Sequence, residues 1–88
     1  MTLEVTVLYF ASLREQVGRE QDKVVLPAGA TVSVRALLDI LSQNGSELKA
    51  VFERMPRLRV AINQALATFD GVVKAGDEIA FFPPMTGG

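Results

Sequence analysis

The sequence predicts a small α+β domain in which one main helix covers one face of a mixed β-sheet of about five strands. Several short segments alternate apolar and polar residues, which is typical of strands with one buried face. A single longer segment repeats its apolar residues at helical spacing. The predicted order is strand, strand, helix, strand, strand, strand, and one helix can cover only one face of such a sheet.

The first half of the chain opens with a predicted strand over residues 3–10. One face of this strand carries Leu3, Val5, Val7 and Tyr9, and the other carries Glu4, Thr6, Leu8 and Phe10. A short helix should follow over residues 11–17, because Gly18 is a typical C-terminal stop. A second strand is predicted over residues 20–26.

The main helix is predicted over residues 34–42. Its apolar stripe consists of Val34, Leu37, Leu38 and Leu41. Either Thr31 or Ser33 can cap its N-terminus, because both side chains can accept a backbone hydrogen bond there. One or two further helical turns are predicted over residues 47–53.

The second half predicts three more strands, over residues 58–63, 65–69 and 78–82, joined by tight turns. By analogy with this order of elements, we expect a β-grasp, or ubiquitin-like, roll. Its first and last strands should lie parallel at the sheet centre, which keeps the crossovers right-handed. The domain should span residues 1–82, and residues 83–88 should form an extended, flexible tail.

The composition removes several kinds of chemistry. The 88 residues carry a net charge of −1 and include no cysteine and no histidine. Disulfides, thiolate catalysis, serine–histidine triads and most zinc sites are thereby excluded, and no carboxylate pair suggests a catalyst. We expect no metal site, no permanently bound cofactor and no enzymatic activity of the chain alone.

Nucleic-acid binding and membrane insertion are not predicted either. There is no basic stripe with interleaved aromatic residues, and no apolar run approaches the roughly 18–20 residues that cross a membrane. The first residues lack a signal-peptide layout, so we expect a cytoplasmic protein.

The tail carries the strongest functional signal of the sequence. Its residues are Pro83, Pro84, Met85, Thr86, Gly87 and Gly88. Prolines cannot donate to a sheet ladder, so the chain should leave the domain there. The two glycines lack Cβ atoms, which lets the backbone enter a narrow channel and leaves the terminal carboxylate open to activation. Six extended residues reach roughly 20 Å. The alternative is an inert, frayed terminus.

An apolar patch is predicted beside the root of the tail. Strand parity places Leu8, Phe10, Ala80 and Phe82 on the uncovered sheet face, where Leu66 can join them. Exposed apolar clusters usually mark contact surfaces. The alternative is that a bulge shifts the parity and turns Phe10 or Phe82 into the core. The arginines at positions 54, 57 and 59 form a basic group whose simplest interpretation is solvated surface, and the alternative is a role in docking a partner.

Several stretches resemble the small subunit of molybdopterin synthase. They are Tyr9-Phe10-Ala11, Leu13-Arg14-Glu15 with Gly18, Ala61-Ile62-Asn63-Gln64, and the continuous run from Gly76 to Gly88. The run is a long and specific match, whereas residues 27–57 match only in pattern.

The resemblance implies a β-grasp sulfur carrier. In this family an E1-like enzyme uses ATP to adenylate the terminal glycine, here Gly88, and sulfur from a donor protein then replaces AMP. The resulting thiocarboxylate enters the large subunit and gives sulfur to cyclic pyranopterin monophosphate, which forms molybdopterin. Two small and two large subunits form a heterotetramer, and the catalytic residues belong to the large subunit. The resemblance also implies that Phe10, Leu66 and Phe82 contact the partners.

Three other functions remain open from the residues. A sulfur carrier of thiazole synthesis shares the fold and the Gly-Gly end, although the Phe-Phe-Pro-Pro-x-Thr run favours the molybdopterin carrier. A ubiquitin-like modifier would be joined to lysines through Gly88. A plain interaction domain would have an inert tail.

Overall fold

The computed structural model describes residues 4–26, 31–44, 46–54 and 57–83. The strands are β1 (Glu4–Tyr9), β2 (Gln21–Val25), β3 (Val32–Ser33), β4 (Arg59–Ile62), β5 (Ala65–Ala67), β6 (Val72–Val73) and β7 (Glu78–Phe82). The helices are α1 (Ala11–Val17), α2 (Val34–Asn44) and α3 (Ser46–Glu53).

The main sheet has five strands in the order β2-β1-β7-β4-β5. The first strand, β1, pairs in parallel with the last strand, β7, and every other neighbouring pair is antiparallel. The last strand lies in the middle of the sheet and the first strand lies beside it. The predicted parallel pairing at the sheet centre is therefore confirmed.

The helices pack against one face of this sheet and form a single core with it. The core residues that are almost fully buried are Val5, Val7, Tyr9, Leu13, Leu37, Leu41, Leu48, Val51, Val60, Ile79 and Phe81. The rings of Phe52 from α3 and Phe81 from β7 lie 5.8 Å apart in a tilted arrangement. The apolar stripe of α2 and the inner residues of β1 and β7 thus meet as their spacing predicts.

Local signals fix the helix ends. Gly18 takes a left-handed conformation, with φ of 88°, and its N–H donates to the carbonyl of Arg14. At α2, the hydroxyl oxygen of Ser33 accepts the backbone N–H of Ala36 at 3.1 Å. Of the two predicted caps, Ser33 is the one that the structure uses.

A second sheet was not predicted. It consists of β3 and β6, which pair over two residues each. Strands this short show no alternation that a sequence could reveal. Next to this pair, the N–H groups of Val34 and Arg35 donate to the carbonyls of Gly71 and Phe69, each at 3.0 Å. The short sheet therefore ties the start of α2 to the segment that precedes β7.

Side-chain bonds hold the β4–β5 turn against the turn before β7. Asn63 and Gln64 both have positive φ, 51° and 70°, which is the conformation of a tight two-residue hairpin turn. The Asn63 amide donates to the Asp77 carboxylate at 3.0 Å and accepts the Glu78 N–H at 2.9 Å. The other Asp77 oxygen accepts the N–H of Lys74 at 2.8 Å. These bonds fix where β7 enters the sheet.

A buried tyrosine links β1 to β2. The Tyr9 hydroxyl donates to Asp22 at 2.8 Å, and the Arg19 Nε donates to the other Asp22 oxygen at 2.7 Å. Burial, reinforced by the Asp22 carboxylate, raises the pKa of Tyr9 well above its usual value. Partial burial acts to raise the pKa of Asp22, but hydrogen bonds from Arg19 and Tyr9 outweigh it and lower that pKa.

The arrangement is the β-grasp, or ubiquitin-like, roll that the sequence predicts, with helices on one face of a five-stranded mixed sheet. The opposite face, called the open face below, is covered by none of the helices described here. Among the described helices, none combines the length and the apolar character needed to span a membrane.

Glycine substitutions at the two residues of the β4–β5 turn, Asn63 and Gln64, should have opposite effects on stability. Gln64→Gly removes the strain of a side chain at positive φ, so the free energy of unfolding should rise by about 0.5–1 kcal/mol. Asparagine tolerates positive φ better than glutamine, so Asn63→Gly relieves less strain. It also loses two side-chain hydrogen bonds, so its free energy of unfolding should fall by about 1–2 kcal/mol. Urea denaturation measures both values. Equal losses for the two variants would contradict this account.

The tyrosine–aspartate pair should make stability depend on pH at both extremes. Because the folded-state pKa of Asp22 is lowered, its stabilisation is present at neutral pH and is lost as pH falls from about 5 into the strongly acidic range. Because the pKa of Tyr9 is raised, its stabilisation is present below about pH 10 and is lost as pH rises further.

Thermal unfolding across pH tests this pair. The difference in Tm between the wild-type chain and Asp22→Asn should be largest near pH 7 and should shrink as pH falls below about 4. Tyr9→Phe keeps the buried ring and should remove the alkaline loss. A wild-type advantage over Asp22→Asn that stays constant down to pH 3 would mean that Asp22 contributes no proton-linked stability.

Candidate functional site

The strand register brings the predicted contact residues together on the open face. Leu8 of β1 is paired with Ala80 of β7, and Ala80 is paired with Ala61 of β4. Ala61 is paired in turn with Leu66 of β5. Directly paired residues point to the same side of a sheet, so a continuous apolar row runs across four strands.

A second row lies next to the first, at the end of β7 from which the tail begins. Phe82 is paired with Arg59 of β4. The parallel pairing of Tyr9 with Phe81, extended by one residue, places Phe10 beside Phe82. The N–H of Phe10 donates to the carbonyl of Phe81 at 3.2 Å, which confirms that β1 and β7 are still adjacent there.

The open-face patch is defined here as Leu8, Phe10, Ala61, Leu66, Ala80 and Phe82. Phe10 and Leu66 expose 47% and 67% of their surface, and Leu8 and Phe82 are partly exposed. Phe10 and Phe82 are therefore not in the core, and the predicted parity is right. Exposed large apolar side chains that adjoin one another mark a surface suited to covering by a partner.

One member of the predicted patch is not exposed. Ala80 is 8% exposed and counts as buried. It lies in the middle strand between the paired residues Leu8 and Ala61, and its methyl group is shorter than the neighbouring Leu8 and Phe82 side chains. The centre of the patch is thus a floor of two alanines with larger side chains around it.

Backbone bonds hold Phe10 at the edge of this patch. Its carbonyl accepts the N–H groups of Leu13 and Arg14, and its own N–H is bonded to β7. The next residue, Ala11, has a positive φ of 53°, which is unusual for a residue other than glycine. The chain turns sharply there into α1, so the Phe10 ring stays on the open face.

The opposite end of the open face is polar. Thr6 is paired with both Lys23 and Glu78, and Glu4 lies one pair further along β1. The Lys23 ammonium and the Glu4 carboxylate are 4.0 Å apart and both are well exposed, so this ion pair contributes little to stability. Apart from the exposed Val25, which is paired with Glu4, the open face therefore changes from charged to apolar toward the tail.

The predicted tail is described only at its first residue. Pro83 follows β7 directly and is partly exposed. The other predicted site residues, Pro84, Met85, Thr86, Gly87 and Gly88, lie outside the described residues. β7 thus places the start of the tail next to Phe82, inside the second row of the patch.

The described residues contain no group of three or more acidic, histidine or cysteine side chains that could hold a metal ion. A depression of about 540 Å³ lies between α2 and α3, on the helical side, with Leu38, Ser42 and Phe52 in its wall. It is remote from the patch in the fold. What the geometry of the open face offers is apolar contact area, which suits recognition of another protein.

Sequence comparisons show which family the chain belongs to. Residues 7–88 match the model of the ThiS family. The molybdopterin synthase sulfur carrier subunit of Haemophilus influenzae is 40% identical over 84 residues, which cover 96% of this chain and 99% of the relative.

Solved structures share the fold. The crystal structure of SAMP1 from Haloferax volcanii superposes with a TM-score of 0.77 at 27% identity, covering 97% of this chain and 99% of that one. Subunit 1 and 2 of the molybdopterin-converting factor from Helicobacter pylori were solved as a complex, in which the matching chain gives a TM-score of 0.58 at 27% identity, with 97% and 99% covered. The chain belongs to the ThiS family, and within it to the molybdopterin synthase sulfur carrier subunits.

Proposed function

We propose that this chain is the sulfur carrier subunit of a molybdopterin synthase and that Gly88 carries the sulfur. The observation that supports this most is the similarity to curated sulfur carrier subunits over nearly the whole chain, at 40% and 38% identity. The position of the open-face patch supports it further, because the strand that carries Phe82 continues directly into the tail.

The first chemical step is activation of the terminal carboxylate. A carboxylate is a poor acyl donor until one of its oxygens becomes part of a good leaving group. An E1-like enzyme would supply this by joining Gly88 to AMP from ATP, with release of pyrophosphate. A sulfur-donor protein would then supply sulfur at the oxidation level of sulfide, or as a persulfide whose S–S bond a thiol then reduces. This sulfur would bond to the carbonyl carbon, the bond to AMP would break, and a thiocarboxylate would remain. A chain without cysteine can hold sulfur covalently in this way.

The second step is delivery. The open-face patch would dock on the synthase large subunit, while residues 83–88, which can extend roughly 20 Å, carry the thiocarboxylate into its active site. Gly87 and Gly88 would let the tail enter a channel too narrow for side chains. Pro83, Pro84, Met85 and Thr86 would contact the surface of the large subunit that leads into this channel. The large subunit would supply the acids and bases for sulfur transfer to cyclic pyranopterin monophosphate.

The likeness to the Helicobacter pylori complex supports a large-subunit partner. We propose the family's assembly of two small and two large subunits, in the cytoplasm. A second candidate function is that of a protein modifier joined to lysines through Gly88. It is favoured by the likeness to SAMP1, whose name in full is small archaeal modifier protein 1.

Purification through an N-terminal tag tests both candidates, because it leaves Gly88 unblocked. Mass spectrometry then reads the co-purified proteins and the chemical state of Gly88. Co-purification of the large subunit together with sulfur in place of one oxygen at Gly88 supports the carrier. Isopeptide bonds between Gly88 and lysines of other proteins support the modifier instead.

Deletion of Gly88 should abolish sulfur transfer without unfolding the domain. The core and the open-face patch that the structure describes are built from residues that precede Pro83, so Tm and affinity for the large subunit should stay close to the wild-type values. Molybdopterin formation, measured with purified activating enzyme, sulfur donor and large subunit, should fall to background. Undiminished formation by the shortened chain would show that Gly88 is not the carrier.

Alanine substitutions of two neighbouring phenylalanines should affect different properties, one the stability of the domain and the other its binding to the large subunit. Phe81 is fully buried, so Phe81→Ala should lower the free energy of unfolding by about 3–5 kcal/mol. Phe82 lies on the open face, so Phe82→Ala should cost less than about 2 kcal/mol and should weaken large-subunit binding at least about 10-fold. Urea denaturation and calorimetric titration measure the two effects. A large stability loss with unchanged binding for Phe82→Ala would remove Phe82 from the docking surface.

A further inference from the structure

Arg59 is a charged side chain within an otherwise apolar part of the open face. It is exposed, and it is paired across the sheet with Phe82. Its neighbours on β4 alternate with it, because Val60 is buried in the core and Ala61 belongs to the open-face patch. The sequence grouped Arg59 with Arg54 and Arg57, but of the three it is Arg59 that lies within β4.

The described residues give Arg59 no acidic partner. The four ion pairs in this part of the chain are formed by other side chains. The open-face carboxylates Glu4 and Glu78 lie at the far end of the sheet. Glu78 is four residues from Phe82 along β7, which corresponds to about 13 Å. Arg54 and Arg57 are nearby in the chain and add charge of the same sign.

Docking on Phe82 would also cover Arg59. Side chains of directly paired antiparallel residues start only about 4.5–5.5 Å apart, so a partner cannot bury one without approaching the other. A guanidinium that is removed from water without a counter-charge is strongly unfavourable. The same group forms two parallel hydrogen bonds with a carboxylate when one is supplied.

The surface beside Arg59 has room for such a group. A depression of about 270 Å³ lies at the β5 edge and is lined by Arg59, Leu66 and Thr68, among others. Leu66 belongs to the open-face patch, so the depression is continuous with it. The Thr68 hydroxyl offers a further hydrogen-bond donor. An acidic side chain that enters here would meet both donors while its own stem contacts Leu66.

We propose that the surface that docks on the open-face patch presents an aspartate or glutamate to Arg59, and that this pair selects the partner. The proposal rests on the proposed function, because it takes the synthase large subunit as that partner. A surface that matches the apolar patch but lacks the carboxylate would have to bury the Arg59 charge unpaired. Arg59 thereby discriminates between proteins that could all accept the same apolar contacts.

Three variants with the same change in net charge test the pair. They are Arg59→Glu, Arg57→Glu, which lies before β4, and Lys49→Glu, which lies on α3. Each full-length chain is bound to the purified large subunit of the same organism, and association and dissociation rates are measured at low and high salt. Tm values confirm that the exposed substitutions leave the domain folded.

Arg59→Glu should weaken binding at least about 30-fold, mainly through faster dissociation, and the loss should persist at high salt. Arg57→Glu should change affinity less than about 5-fold, mainly through association, and salt should remove that effect. Lys49→Glu should change it less than about 3-fold. Arg59→Gln should show a loss in the same direction as Arg59→Glu, and replacement of the partner's acid by arginine should restore binding to Arg59→Glu.

Equal effects of Arg59→Glu and Arg57→Glu, both removed by salt, would overturn the pair and leave only a general electrostatic attraction. Absence of binding by the unaltered chain would instead overturn the proposed large-subunit partner, and the pair with it. The two failures are distinct, because the first requires normal binding by the wild-type chain.

Discussion

The parallel pairing of β1 with β7 is the contact on which the rest of the molecule depends. It joins the beginning of the described chain to its end and leaves the last strand in the middle of the sheet. A strand with neighbours on both sides is held by two hydrogen-bond ladders. The Asn63–Asp77 bond and the Tyr9–Asp22 bond anchor the turns and strands on either side of this pairing. The root of the tail is therefore attached to the central strand of the sheet.

The two faces of β7 do different things because side chains alternate along a strand. Ile79 and Phe81 are fully buried against the helices, whereas Phe82 is partly exposed beside Phe10. Consecutive phenylalanines thus serve the core and the open-face patch. Substitutions on the open face can change recognition with little effect on packing, which is possible only because the helices leave that face uncovered.

Much of this arrangement could be predicted from the sequence, because it follows from local rules. Alternation in β1 and β7 gave the parity of Phe10, Phe81 and Phe82, and Gly18 gave the end of α1. The sequence did not reveal the features that depend on distant pairing. The two-residue strands β3 and β6 show no period, and the Tyr9–Asp22 bond joins residues on different strands. The burial of Ala80 depends on which residues flank it in the sheet.

The importance of Arg59 at the candidate site also could not be predicted from local sequence rules. In the sequence it is one of three arginines in six residues, and solvated surface is the simplest interpretation of such a group. Only the register of β4 against β7 places it beside Phe82. The sequence shows only that positive charge is concentrated in this segment. The free energy of docking depends on which of these charges a partner must remove from water.

The chemistry proposed for the tail gives this placement its importance. A terminal glycine that is adenylated has the same reactivity whether it later carries sulfur for molybdopterin, carries sulfur for thiazole, or forms an isopeptide bond. The two glycines present only backbone to a partner, so they offer few contacts with which to distinguish these fates. Selection must then come from a surface that is exposed and close to the tail. The open-face patch meets these conditions, and Arg59 supplies it with a charge that only a matching partner can bury without loss of affinity.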